Sequence, residues 1–164
     1  MSERSVTVTW EDPMIGASAA REMAGIDYLN AIISGEIPFP PIARLFNIRL
    51  IKASAGHATF SGTPAEQFYN PIGSVQGGFY CTLLDASMGC AVHSMLPKGT
   101  GYATVDLHTY LVRPITLATG EVHSIGEVVH MGRKIATAQA KLVDSQGKLY
   151  AHATSSCIIL SQEG

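Results

Sequence analysis

The sequence predicts an α+β protein in which a curved antiparallel sheet wraps around one central helix, with an extra helix near the N-terminus. Three observations indicate this class: a hairpin-like pair of strands, a following helix that is apolar nearly all round, and four further strand-like segments separated by turn residues. The chain has 164 residues, of which 46% are hydrophobic and 15% are charged. This length suits one domain, and so few charges favour burial of additional apolar surface between subunits.

The first 41 residues form a predicted N-terminal extension that consists of a strand, a helix and a proline-rich connector. Polar and apolar residues alternate over 5–10, which predicts a short strand. Apolar residues recur at three- and four-residue spacing over 13–34, after an aspartate and a proline suited to a helix start. Three prolines within 38–41 require an extended connector. The main domain is therefore expected at 42–164.

The main domain begins with a predicted hairpin formed by residues 46–53 and 57–62. Residues 79–96 then predict a helix without a polar face, and such a helix belongs inside a protein. Four strand-like segments follow, which we expect to pair in order as a meander: 102–113, 120–131, 134–144 and 148–160.

Two of these segments present a face of small side chains. Residues on a strand alternate between the two faces of the sheet, so residues two apart share a face. A surface of small groups lets a sheet curve closely around a helix. The residues of this face are Ala136, Ala138, Ala140, Ala151, Ala153 and Ser155.

The segment from Asn70 to Gly78, together with Asp85, carries the chemistry. Gly77 and Gly78 lie at the start of the central helix, where backbone amides have no intrahelical acceptor and can approach a ligand without a side chain in the way. Such amides are suited to the oxyanion that forms when a thioester carbonyl is attacked. A carboxylate in the middle of an apolar helix is costly unless it is paired, solvated or functional. Asp85 is therefore either catalytic or hydrogen-bonded to a neighbouring chain at an interface.

The spacing of Gly77 and Asp85 predicts a dimer if the two residues act together. They are eight residues apart, which is about 12 Å along a helix. One carbonyl carbon cannot lie about 3 Å from both groups. The two residues must then come from different copies of the chain, and a two-fold axis would create two equivalent sites.

The motif N-P-I-G-S-V-Q-G-G, followed by the acid Asp85, resembles that of the hotdog thioesterases of the phenylacetic-acid-degradation type. The 4-hydroxybenzoyl-CoA thioesterases have similar sites, and the resemblance extends over about residues 42–160. It implies the hotdog fold and acyl-CoA thioesterase activity. By the same resemblance, the Gly77 amide holds the thioester oxygen, Asn70 holds the thioester or the attacking water, and Asp85 is the base or nucleophile. Thr104 positions water, unless it is only an exposed strand residue.

Two positions around this motif have further implications. Gln76 stands where the family usually has histidine; its amide can donate a hydrogen bond but cannot titrate near neutral pH. Arg133 and Lys134 lie in a turn that resembles the family's, where they either bind CoA phosphates or form a solvated basic hairpin. Gly78 is expected beside the substrate. Aromatic residues are expected to line a substrate tunnel: Phe68, Tyr69, Phe79 and Tyr80.

The leading hypothesis is hydrolysis of an acyl-CoA or aryl-acyl-CoA, with Asp85 activating water or attacking the carbonyl directly. Gln76 favours a second hypothesis, a non-catalytic protein that binds acyl-CoA or lipid. A hotdog dehydratase ranks third, because no Asp/His pair suits hydration chemistry.

Several classes of partner are not expected. The six histidines show no metal spacing, and no cofactor is expected beyond the CoA of the substrate. The net charge of −2 and the lack of a basic run argue against nucleic acid. No apolar stretch is long enough to span a membrane. Three cysteines inside apolar patterns indicate free thiols and a cytoplasmic location. The assembly is expected to be a homodimer or a dimer of dimers (a homotetramer).

Overall fold

The computed structural model describes residues 3–161 and contains one six-stranded sheet with helices packed against it. From the hairpin onwards, the elements occur in the predicted succession of hairpin, central helix and four strands. The helices are α1 (Pro13–Glu22), α2 (Gly25–Ser34), α3 (Pro41–Leu45) and α4 (Gly77–His93). The strands are β1 (Ile48–Ser54), β2 (His57–Gly62), β3 (Thr100–Leu111), β4 (Val122–Met131), β5 (Ile135–Asp144) and β6 (Leu149–Ser161), and short 3₁₀ turns lie at Glu66–Phe68 and Leu117–Thr119.

The sheet is antiparallel throughout, with the order β1-β2-β4-β5-β6-β3. The predicted meander is correct for β4, β5 and β6 but wrong for β3. That strand pairs with β6, from Thr100 opposite Ser161 to Leu111 opposite Ala151. The reason is that β4 pairs with β2 and so joins the hairpin to the meander. This leaves β3 at the far edge of the sheet.

The central helix α4 lies against the concave face of the sheet, as predicted. Its side chains Leu83, Leu84, Met88 and Val92 are fully buried. The face of small side chains on β5 and β6 is also buried, which confirms its predicted role in close packing. The sheet approaches the helix closely at Gly126 on β4, where an added Cβ would lie 2.4 Å from the backbone oxygen of Ser87. The curved sheet and its single buried helix therefore form the hotdog arrangement.

The N-terminal extension differs from the prediction in three ways. Residues 5–10 form no strand, because nothing in residues 3–161 pairs with them and alternation alone cannot supply a sheet partner. The predicted helix 13–34 is two helices, since the chain is extended at Met23 and restarts at Gly25. A Cβ at Gly25 would lie 1.7 Å from the backbone oxygen of His93, so the break lets α2 dock on the end of α4. Pro41 begins the short helix α3 instead of ending a connector.

Other N-terminal predictions are confirmed. The side chain of Asp12 caps α1 by accepting from the backbone N–H of Met14 at 2.9 Å. Gly35 ends α2 with a left-handed φ of 83°. The boundary between extension and main domain at residues 41 and 42 stays a prediction. Within residues 3–161, no helix is both long and apolar enough to cross a membrane.

Candidate active site

The loop before α4 is organised by the side chain of Asn70. Its Oδ1 accepts from the backbone N–H groups of Ile72 and Ser74 at 3.1 and 3.2 Å, and its Nδ2 donates to the Ser74 hydroxyl at 3.1 Å. Gly73 completes the turn with a φ of 83°, a region that favours glycine. The structure thus uses Asn70 to hold the loop, and one N–H of Nδ2 remains for a substrate or water. Its predicted contact with the thioester stays a prediction.

The start of α4 separates the two glycine amides into one that is capped and one that is free. Gln76 is the N-cap residue, and its Oε1 accepts from the backbone N–H of Gly78 at 2.5 Å. In residues 3–161 no group accepts from the N–H of Gly77. Because the positive end of the helix dipole adds to this free donor, Gly77 offers an anion or a carbonyl oxygen a prepared partner. A ligand contact at the Gly78 amide would require the Gln76 side chain to turn away.

Asp85 and Thr104 are brought together across the gap between α4 and β3. The Thr104 hydroxyl donates to Oδ1 of Asp85 at 3.0 Å. The register between β3 and β6 shifts between Thr104 and Asp106, so Thr104 lies at a bulge, a feature that re-aims side chains. Asp85 is half-buried and Thr104 is exposed, and within residues 3–161 no group donates to Oδ2, the second carboxylate oxygen of Asp85.

The groups around Asp85 stay neutral near pH 7. Burial raises the pKa of the Cys90 thiol to about 12, and the charge of Asp85 adds to this shift. Burial also raises the pKa of Tyr102 well above its usual range, with smaller contributions from Cys90 and Asp85. The pKa of Cys157 is raised mainly by burial as well. A thiol with so high a pKa is a poor nucleophile, so Cys90 does not compete with Asp85 for this role.

Gly77 and Asp85 lie in one continuous helix, so a single chain cannot bring them to the same carbonyl. The helix extends from Gly77 to His93 without interruption. Eight residues of regular helix separate the two groups by about 12 Å. If both residues act on one substrate, Gly77 and Asp85 must therefore come from two copies of the chain.

Arg133 and Lys134 lie in the exposed turn between β4 and β5, and neither forms an ion pair within residues 3–161. The backbone oxygen of Lys134 accepts from Ile159 on β6, which in turn lies opposite Tyr102 on β3. Two strand spacings, about 10 Å, therefore separate this turn from the β3 segment that carries Thr104. The basic turn is at the same end of the sheet as Asp85, and its contact with CoA phosphates stays a prediction.

The residues expected to line a tunnel are mostly part of the core. Phe79 and Tyr80 are only 1% and 2% exposed, and Phe68 stacks between Phe46 and Phe79. The Tyr80 hydroxyl donates to the backbone oxygen of Arg113 and also accepts a backbone N–H from the same loop. These aromatic residues fix the start of α4. Local sequence indicated aromatic residues near the site, but it could not tell which side of α4 they occupy.

Together, the six-stranded antiparallel sheet and its buried helix with a glycine-rich start define a protein of the hotdog class. Residues 72–151, just under half of the chain, match the model of the thioesterase superfamily. The resemblance to the hotdog thioesterases is therefore confirmed by both sequence and fold, and it supports thioester hydrolysis as the general chemistry.

Similar solved structures lead to the same class. One is a Ralstonia eutropha protein named as a thioesterase and as related to phenylacetic acid degradation, with 27% identity, a TM-score of 0.72, and coverage of 80% of this chain and 98% of that one. Another is the Escherichia coli PaaI protein from the phenylacetic acid degradation operon, with 21% identity, a TM-score of 0.70, and coverage of 84% and 95%. The second likeness shows the fold alone.

A curated relative is a Halobacterium salinarum protein named as an esterase. It is 37% identical over 73 residues, which are 43% of this chain and 46% of that protein. The match thus spans less than half of the relative's length.

Proposed function

We propose that this chain hydrolyses an acyl-CoA or aryl-acyl-CoA thioester to the free acid and CoA, in a site shared between two copies. The observation that carries the proposal is the pairing of features on α4. Within residues 3–161, the helix-start amide of Gly77 has no acceptor, and Asp85 receives one hydrogen bond, from Thr104 to Oδ1, while its Oδ2 has no donor. These features match what attack on a thioester requires: a donor for the oxyanion and a base or nucleophile.

Two chemical routes fit these residues. In the first, Asp85 removes a proton from water as the water oxygen attacks the carbonyl, and the tetrahedral intermediate then expels the CoA thiolate, which takes up a proton. In the second, a carboxylate oxygen of Asp85 attacks and expels the thiolate, and water then cleaves the resulting anhydride. In both routes the Gly77 N–H holds the oxyanion. Thr104 holds Oδ1, and Asn70 has one N–H left for the water or the thioester.

The free edge of β3 supports a dimer. This strand has 12 residues, and within residues 3–161 it pairs only with β6, so its outer backbone groups have no strand partner. Large apolar side chains on this strand are exposed, among them Val105 at 62% and Tyr110 at 59%. Unpaired edges of this kind pair readily with another chain. A two-fold axis beside β3 would place two α4 helices antiparallel and bring Gly77 of one copy towards Asp85 of the other. A dimer completes the site, and a dimer of dimers also contains it.

The cysteines support a cytoplasmic location for this activity. Cys81, Cys90 and Cys157 are all free in the structure. Unpaired thiols are typical of a reducing compartment, where disulfides are rare.

The role of Gln76 as helix cap favours one competing function, a non-catalytic protein that binds acyl-CoA. Its side chain is occupied by the Gly78 N–H, so it offers the substrate less than the usual histidine would. A protein of this kind would bind the same ligands through Gly77 and the basic turn without turnover.

Thiol release from a panel of acyl-CoAs distinguishes the two functions. The panel contains acetyl-, octanoyl-, benzoyl- and phenylacetyl-CoA, and binding of each is measured in parallel by calorimetry. We expect thiol release from at least one of them, together with a dimer or larger assembly by light scattering. Binding without thiol release would identify the binding protein, and an active monomer would refute the shared site.

A further inference from the structure

A cavity of about 270 Å³ lies between the N-terminal extension and α4. The extension supplies one wall, chiefly apolar side chains such as Ala20, Leu29 and Ile32. Strands β1 and β2 supply Leu50 and Phe60. The extension also supplies Tyr28, and the opposite wall combines Cys90 and His93 of α4 with Tyr102 of β3. The candidate active site uses none of these residues, so the cavity has no role in the chemistry described above.

His93 is the unexplained group in this wall. Its side chain is 8% exposed, and neither Nδ1 nor Nε2 has a hydrogen-bond partner within residues 3–161. The ring instead contacts Tyr28 edge-on and Tyr102 at a tilt, with centroid distances of 5.5 and 5.8 Å. Buried polar groups almost always have a partner, so an imidazole with two unpaired nitrogens beside a cavity indicates a missing ligand group.

Two residues of the cavity wall, Cys90 and Tyr102, lie near the Asp85–Thr104 pair. Tyr102 is two residues from Thr104 on β3, so both side chains face α4. Gly89, one helical turn after Asp85, has no side chain, and the Tyr102 hydroxyl lies 2.4 Å from where its Cβ would be. The charge of Asp85 contributes to the raised pKa of both Cys90 and Tyr102. His93 follows Asp85 by eight residues, about 12 Å further along the same helix.

We propose that this cavity binds the acyl group of the substrate, and that it prefers a medium-length acyl group with a hydroxyl near its far end, which pairs with His93. The inference rests on the proposed thioesterase function, because it takes the thioester carbonyl to lie at Asp85. A chain that leaves this carbonyl along α4 towards the C-terminal end of the helix enters the cavity and ends at His93. The N-terminal extension then acts as the wall that closes the acyl pocket.

The chemistry of the imidazole selects the hydroxyl. Burial lowers the pKa of His93, so the ring is neutral and offers one donor and one acceptor. A hydroxyl can both accept and donate, and therefore matches either nitrogen. A terminal methyl leaves the ring unpaired, and a terminal carboxylate would place a charge among apolar side chains at high cost.

Matched substrates test the inference in the full-length protein. We compare kcat/KM for octanoyl-CoA and 8-hydroxyoctanoyl-CoA, and for 3-phenylpropanoyl-CoA and its 4-hydroxyphenyl analogue, in wild type and His93→Phe. We expect wild type to prefer the hydroxylated member of at least one pair by about 3- to 10-fold, the effect of one net hydrogen bond. His93→Phe should abolish this preference while it retains turnover of the unhydroxylated substrate. Equal rates within both wild-type pairs, or a preference that survives in His93→Phe, would overturn the inference.

A second variant keeps the test decisive if His93→Phe does not fold. Ala20 lines the cavity on α1 and is far in sequence from the catalytic residues. Ala20→Phe should fill the cavity and lower the ratio of kcat/KM for octanoyl-CoA to that for acetyl-CoA at least 5-fold. Unchanged octanoyl-CoA turnover would contradict the acyl pocket.

Failure of the proposed function would look different. If wild type releases thiol from none of these substrates, the thioesterase proposal fails, and the cavity is tested by binding alone. Octanoate and 8-hydroxyoctanoate are then titrated into wild type while the imidazole signals of His93 are followed by NMR. Tighter binding of the hydroxy acid with a shift of the His93 signals supports the pocket, and the lack of a shift refutes it.

Discussion

Replacement of Asp85 by asparagine removes the proposed base or nucleophile with little change in shape. Asparagine keeps an oxygen that can accept the Thr104 hydroxyl, which lies 3.0 Å from Oδ1 in the structure. The charge and the proton affinity are lost, and both chemical routes need them. General base catalysis contributes about 100- to 10,000-fold. Asp85→Asn should therefore lower kcat by this factor, which is about 3–5 kcal/mol of transition-state stabilisation.

The assay is thiol release at saturating substrate, with binding of the same acyl-CoA measured separately by calorimetry. We expect kcat to fall while the dissociation constant changes less than about 3-fold, because Asp85 acts on the transition state more than on the bound substrate. Thermal unfolding should show no loss of stability, since a partly buried charge is removed and the hydrogen bond is retained.

Asp106→Asn is the matched control. Asp106 is on the same strand as Thr104, and its Oδ1 accepts from the backbone N–H of Ser156 at 3.0 Å, a role that asparagine can also fill. The same chemical change outside the proposed site should leave kcat within about 2-fold of wild type. Activity of Asp85→Asn within 2-fold of wild type would remove Asp85 from the mechanism. An equal loss in both variants would show that the assay reports on folding instead.

Four further predictions follow from individual contacts. Val105→Lys places a charge on the exposed edge of β3 and should abolish the dimer in light scattering together with thiol release; an active monomer would contradict the shared site. Cys90, with a pKa of about 12, should resist iodoacetamide at pH 8 in mass spectrometry of the folded protein, and rapid labelling would contradict this raised pKa. Burial lowers the pKa of His93 below 6.5, so the unfolded state binds more protons and stability should fall from pH 7 to pH 5, by at most about 1.4 kcal/mol per pH unit from this group. Denaturant titrations at several pH values should show that the free energy of unfolding changes less with pH in His93→Phe than in wild type. The same dependence on pH in both proteins would show that His93 does not cause it. Gly126→Ala would put a Cβ 2.4 Å from the backbone oxygen of Ser87 and should destabilise by about 1–3 kcal/mol, whereas unchanged thermal unfolding would show that the helix can shift.

Local patterns in the sequence were sufficient for most elements of the fold. Alternation and turn residues located the hairpin and the last four strands, and the lack of a polar face located α4. The pairing of β3 with β6 was not predictable in this way, because strand pairing depends on which edges are free after the hairpin has joined the sheet. Residues 5–10 show the opposite error: they alternate well, but the fold gives them no neighbouring strand.

Contacts between distant residues account for the remaining differences. The break between α1 and α2 exists because Gly25 lies against the backbone of His93, and nothing in the local sequence records this contact. At the site, the glycine-rich helix start and the isolated acid were evident from the sequence. The bulge that turns Thr104 towards Asp85, and the side-chain caps formed by Asn70 and Gln76, depend on geometry that appears only in the folded chain.

The three groups of α4 to which we assign a proposed role, Gly77, Asp85 and His93, are each eight residues apart. In the proposed dimer, the first interval is bridged by the two-fold axis, because Gly77 of one copy meets Asp85 of the other. The second interval, from Asp85 to His93, lies within one chain. In the proposed acyl pocket, this distance sets the preferred length of the acyl group between the attacked carbonyl and the imidazole. Changes at the β3 edge should then alter turnover of every substrate alike, whereas changes in the cavity should alter only the preference among acyl groups. This separation follows from one rigid helix, and it allows the catalytic and the selective parts of the site to be tested independently.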